Sequence, residues 1–144
     1  MKLSTRGRYG IHTMFNLALN GENGPQSIKA IAERGGMPEA YLEQLIAGLK
    51  KAGLVTSTRG AQGGYMLARQ PAQYTVGDIL RLTEGTLVPV ACAQNPAQCD
   101  RSADCATLPV WQGLSRVINE YLDGITLQDI LDQHRERAID DYVI

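Results

Sequence analysis

Apolar residues recur along this chain in two distinct rhythms, and the clearest change of rhythm falls in residues 41–67. Leu42, Leu45, Ile46 and Leu49 repeat at i, i+3, i+4, i+7, which predicts a helix with one buried stripe. Pro38 suits its first position, where a missing N–H costs nothing, and Gly53 suits the left-handed cap at its end. Lys50 and Lys51 sit where the helix dipole is negative. Glu39, Ala40, Glu43 and Gln44 face away from the stripe and are free to meet a partner. The pattern then shortens to two strands, 54–58 and 65–67, around the turn Arg59-Gly60-Ala61-Gln62-Gly63-Gly64. A periodic helix running into a hairpin tipped by Arg and Gly is the layout of a winged helix-turn-helix. An ordinary helix–hairpin connection in another α+β domain would share these signals.

The same reading extends outward. Ser4 or Thr5 can cap a first helix of about 15 residues, with Ile11, Met14, Phe15 and Ala18 inside and Arg8, His12 and Asn16 outside. Gly21 to Pro25 reads as a turn, and Ser27 caps a short helix over 28–34 closed by Gly35-Gly36. Thr75 to Asp78 is a capping box for a helix over 76–84. Residues 85–107 read as irregular. A long helix from about Pro109 carries Leu108, Trp111, Leu114, Ile118, Tyr121, Leu122 and Ile125 at spacings of three and four. Thr126 to Asp129 repeats the capping box before a short helix over 127–133 and a loose charged tail. The expected fold is therefore mostly α (α+β): a winged helix-turn-helix over 1–84, a cysteine-bearing loop over 85–107, a dimerisation helix and short terminal helix over 108–134, and a tail over 135–144. Residues 1–84 already hold enough apolar residues for a core, so the long amphipathic helix most simply packs on its own copy. Folding back on its own module is the alternative.

Composition sharpens this only once the chain is divided. The whole carries −1, but residues 1–69 hold nine Lys/Arg against four Glu, or +5, and the remainder holds five basic against eleven acidic residues, or −6. A basic front suits phosphate, although a dipolar protein need not bind nucleic acid. The N-terminus has no apolar stretch of a secretory signal, and no run approaches the roughly 20 apolar residues of a membrane span, so a cytoplasmic protein is expected. Cys92, Cys99 and Cys105 lie at C-x6-C-x5-C. An odd number in a reducing compartment makes a poor disulfide set. The gaps are longer than zinc sites favour, and three thiolates suit an iron–sulfur cluster or, failing that, redox-reactive thiols. An enzyme is not expected: a thiol-disulfide oxidoreductase would want a C-x-x-C pair.

The start MKLSTRGRYG, the segments YLEQL and LKKAGLV, the wing RGAQGGYML, the pair VGDIL…EG and the cysteine loop together resemble the IscR-type winged-helix regulators over about residues 1–131. That family also takes in CymR, NsrR and RirA. The resemblance implies a homodimeric repressor on a pseudo-palindromic operator in double-stranded DNA, controlled by an iron–sulfur cluster, 2Fe–2S, one per subunit on Cys92, Cys99 and Cys105. It implies Ala40, Glu43 and Gln44 near base edges, Arg59 in a minor groove, and Thr5, Arg6, Arg8 and Lys51 near phosphates, with Tyr41, Gly60, Gln62 and Gly63 completing the DNA-binding surface. Where IscR-like proteins place a histidine as fourth ligand, this chain has Leu108. Where other members borrow a carboxylate from the partner's first helix, it has Arg8, which cannot ligate a metal. His12, one turn along, then becomes a candidate from the partner subunit, beside Asp100, Asp104 or an exogenous thiol. The alternative within the family is a CymR-like cysteine-metabolism repressor without metal, controlled by a partner protein.

Overall fold

In the computed structural model, residues 1–142 are described and form seven helices and one two-stranded sheet. Helix α1 (Thr5–Leu19) starts where the Ser4 hydroxyl accepts from the Gly7 N–H at 3.2 Å. Its buried face is Gly7, Gly10, Thr13, Met14 and Leu17, while Ile11, Phe15 and Ala18 pack on the edge of the core. The inward stripe is thus rotated from the expected one, because Thr83 and Glu84 of a later helix lie so close that Gly7 and Gly10 must face them. Helix α2 (Ile28–Gly35) is capped by the Ser27 hydroxyl and ends at Gly36 with φ +63. Helix α3 (Glu39–Lys51) begins one residue later than expected. Pro38 is its cap with extended ψ of 138, not its first helical residue. Gly53 closes the C-terminal end at φ +80.

Strands β1 (Val55–Thr58) and β2 (Gly64–Leu67) pair antiparallel, Val55 opposite Leu67 and Thr58 opposite Gly64. The hairpin is not free. Gln26, in the linker before α2, exchanges two backbone hydrogen bonds with Tyr65 at 2.8 and 2.9 Å, and a Cβ at Gly64 would run into its backbone. Tyr74 is fully buried behind β1; its hydroxyl donates to the Leu54 carbonyl at 2.8 Å and accepts from the Arg69 N–H at 2.9 Å.

Helix α4 (Val76–Glu84) and helix α7 (Leu127–Tyr142) both open on capping boxes, Thr75/Asp78 and Thr126/Asp129, as the sequence predicts. The two caps lie side by side: Val76 N donates to Ile125 O at 2.9 Å and Leu127 N to Tyr74 O at 3.0 Å. This places Leu127 and Leu131 in the core. Helix α7 runs to Tyr142 instead of stopping near Gln133, since Gln, Arg, Glu and Ala favour a helix and no Gly or Pro interrupts them. Between α4 and α7 come the four-residue helix α5 (Ala91–Gln94), two 3₁₀ turns, and helix α6 (Leu108–Asp123). None of the side chains of α6 is fully buried. Among the described residues no helix is long and apolar enough to cross a membrane.

Candidate nucleic-acid interface and cysteine loop

Helix α3 turns Leu42, Leu45, Ile46 and Leu49 into the core, which leaves Ala40, Glu43 and Gln44 exposed on the opposite side. Tyr41 is half-buried and meets Tyr9 of α1 edge to face, ring centres 5.6 Å apart. That contact brings the first turn of α1 beside α3. Arg6 shares with Tyr41, Gln44 and Leu45 an open depression of about 230 Å³, and its guanidinium reaches toward Gly48. An arginine beside a glutamine on an exposed helix face can donate to phosphate oxygens while the amide reads a base edge. Thr5, Arg8 and Lys51 are likewise exposed, at the start of α1 and the end of α3.

The wing tip depends on its glycines. Gly60 has φ +112, and a Cβ at Gly63 would run into the Thr58 carbonyl. Arg59, Gly60, Ala61 and Gln62 are exposed there, so the hairpin presents backbone and one guanidinium. Gln26, which the sequence reading passed over, is the residue that holds this wing. It is 8% exposed, its amide nitrogen donates to the Asn20 and Gly24 carbonyls, and its side-chain oxygen accepts from Arg34 at 2.8 Å. A lone polar residue after Gly-Pro gives no signal of burial until the wing is seen to lie across it.

Cys92 lies in α5, Cys99 and Cys105 each follow a 3₁₀ turn, and all three are half-buried free thiols in a loop packed on the start of α6. Cys105 Sγ lies 3.4 Å from the Thr107 hydroxyl. That hydroxyl, then the Thr107 and Leu108 backbone, holds the Cys105 thiol below its ordinary pKa, which favours the thiolate a metal would need. Leu108, at the place where IscR-like proteins carry a histidine, is half-buried at the first position of α6. His12 is exposed on α1 in a groove of about 220 Å³ with Phe15, Ile130, His134 and Arg137. Asp100 and Asp104 are exposed in the loop. Among the described residues, no three His, Cys, Asp or Glu side chains converge on one point. The donor chemistry supplies three thiols of the kind an iron–sulfur cluster requires, but the single chain does not bring the three together at one point, nor a fourth ligand beside them.

Beyond the loop, α6 shows two apolar stripes rather than the single one expected. Leu108, Ile118 and Leu122 are half-buried toward the rest of the chain, as is Ile125 just past the end of the helix. Val110, Leu114, Val117 and Tyr121, spaced four, three, four, are 60%, 42%, 58% and 67% exposed, with Trp111 beside them at 36%.

Residues 3–133 match the Rrf2 family, described as iron-dependent transcriptional regulators. The chain is 36% identical over 141 residues to the HTH-type transcriptional regulator IscR of Aliivibrio salmonicida, covering 98% of this chain and 83% of that one. Among solved structures it is similar to T. potens IscR, with 48% identity, a TM-score of 0.78, and 95% and 90% of the two chains covered. It is also similar to CymR of B. subtilis, the global cysteine regulator, with 40% identity, a TM-score of 0.75, and 92% and 98% covered.

Proposed function

The chain belongs to the Rrf2 family of transcriptional regulators, which are not enzymes, and on that premise we propose that it acts in the cytoplasm as a homodimer binding a pseudo-palindromic operator under control of its cysteine loop. The observation that carries this reading is the division of α3, whose apolar stripe is buried while Ala40, Glu43 and Gln44 are left exposed beside Arg6. Each subunit sets α3 in a major groove and Arg59 of the wing in the flanking minor groove, with Thr5, Arg6, Arg8 and Lys51 on phosphates. The exposed 110–121 seam of α6 supports pairing with a second copy, since a four-three-four spacing is that of a two-stranded helical interface.

Cys92, Cys99 and Cys105 would hold a 2Fe–2S cluster in each subunit, and the cluster would supply a charge and a redox state that the loop passes to α6. Leu108 cannot be its fourth ligand; His12 of the partner subunit is the candidate, with Asp100, Asp104 and a small thiol as the others. A second reading, a metal-free repressor governed by a partner protein, is favoured by the comparable likeness to CymR. Anaerobically purified protein should show the visible absorption of an iron–sulfur centre, lost in Cys92→Ala, Cys99→Ala and Cys105→Ala. His12→Ala should alter the spectrum and shorten the lifetime of the centre in air. Colourless protein with no iron or acid-labile sulfide would favour the second reading.

A further inference from the structure

Two polar side chains in the C-terminal half of helix α4 reach other elements in opposite directions. At its C-terminal end the Glu84 carboxylate accepts from the Ser4 N–H at 3.1 Å and from the Ser4 hydroxyl, fixing the start of α1 and with it Thr5, Arg6 and Arg8. A Cβ at Gly7 would run into that carboxylate. One turn earlier, Arg81 reaches the other way, to α6. Its guanidinium donates to both oxygens of Asp123 at 2.8 Å and to Asn119 Oδ1 at 2.8 Å. The Asn119 amide in turn donates to the carbonyl of buried Leu87, at the entry to the cysteine loop, at 2.8 Å. Gly77, buried in the first turn of α4, leaves room for the Asp123 carboxylate; a Cβ there would strike it.

A half-exposed ion pair contributes little to stability. A bidentate fork, however, fixes direction as well as distance. That matters here because α6 packs on the rest of the chain only through half-buried side chains, none of them fully enclosed. The grip sits at the C-terminal end of a 16-residue helix, about 24 Å long. A swing of about 10° at that end moves the far end by about 4 Å, on the order of one base-pair rise.

We propose that Arg81 is a specificity-determining positioning residue: through Asp123 and Asn119 it fixes the angle between α6 and the DNA-binding module, and so the half-site spacing a dimer accepts. The Asn119–Leu87 bond makes that angle depend on how the cysteine loop leaves α4. The inference rests on the homodimer reading above.

The test begins with a duplex selected by the parent protein from a randomised pool, remade with its half-sites one and two base pairs closer and further apart. Gel-shift titrations compare parent, Arg81→Gln, Gly77→Ala and the swap Arg81→Asp with Asp123→Arg, with sedimentation and circular dichroism on each. The parent should lose about tenfold or more in affinity per base pair of altered spacing, within the usual range of coupling between sites. Arg81→Gln and Gly77→Ala should stay folded dimers and lose most of that discrimination, the second with every charge intact, and the swap should restore it. Dimeric Arg81→Gln and Gly77→Ala with parental spacing discrimination would overturn the inference alone. A monomeric parent would overturn the homodimer reading, and the inference with it.

Discussion

At the scale of single residues, the decisive contacts are made by polar groups whose partners lie far away along the chain. Tyr74 joins two strand-flanking segments through its hydroxyl, 20 residues from Leu54. Replacing it by Phe keeps the ring but removes one of the two hydrogen bonds at the Leu54 carbonyl, which still accepts from the Ala68 N–H, and leaves the Arg69 N–H without its partner, so Tyr74→Phe should lower stability by about 1–3 kcal/mol in urea unfolding. The loss should appear with an unchanged m-value, because the buried surface is the same. Arg81 and Asn119, through their side chains, and Gln26, through its backbone pairing with Tyr65, are of the same kind: each looks like an ordinary surface residue in sequence and becomes a tether once two elements are brought together. By contrast Ser4, Ser27, Thr75 and Thr126 cap helices through neighbours three residues on, so their roles were legible beforehand.

At the scale of elements, periodicity locates α1 to α4, α6 and the hairpin to within a residue or two, but it gives no sign of the four-residue α5 within 85–107 or of the last nine residues of α7, and it fails where a helix has two apolar faces. The spacing in α6 predicts one stripe containing Trp111, Leu114 and Ile118 together, but Ile118 turns toward the chain while Leu114 turns out, joined by Val110 and Val117. The packing of α4 and α5 against one side of α6 separates the two. Since Leu114 is 42% exposed in the single chain, Leu114→Glu should leave circular dichroism unchanged. In a dimer it would bury an unpaired charge at a cost of several kcal/mol. The variant should therefore sediment as a monomer and lose operator binding; a dimeric variant would place the interface elsewhere. The extent of α7 was missed for a different reason. Its last turns carry no apolar stripe to announce them, yet intrinsic propensity carries the helix to Tyr142.

At the scale of the whole molecule, the basic front and acidic rear acquire a direction. Most cations of residues 1–69 fall on α1, α3 and the hairpin, and the acidic residues cluster in the loop, α6 and α7. A dimer brings the +5 half twice, so operator affinity should fall with a log–log salt slope of several units, each neutralised phosphate contributing about −0.9. Lys51→Ala, altering two copies, should flatten that slope by about 2 and leave sequence preference unchanged. A flat response in the parent would remove phosphate contact from the role of this face.

What the sequence determined alone is local: which segments are helical, where they are capped, where the glycine-tipped hairpin turns, and which motifs carry the family likeness. Such features depend on neighbours within about four residues, and their physics is complete in a short window. What only the tertiary structure decided is which faces meet. It rotated the buried side of α1 so that Gly7 and Gly10 oppose Glu84 and Thr83, split the stripe of α6, laid Gln26 under the wing, and joined α4 to α6 through Arg81. These follow from the crossing of helices distant in sequence, where close packing admits one arrangement and hydrogen-bond partners are set by it.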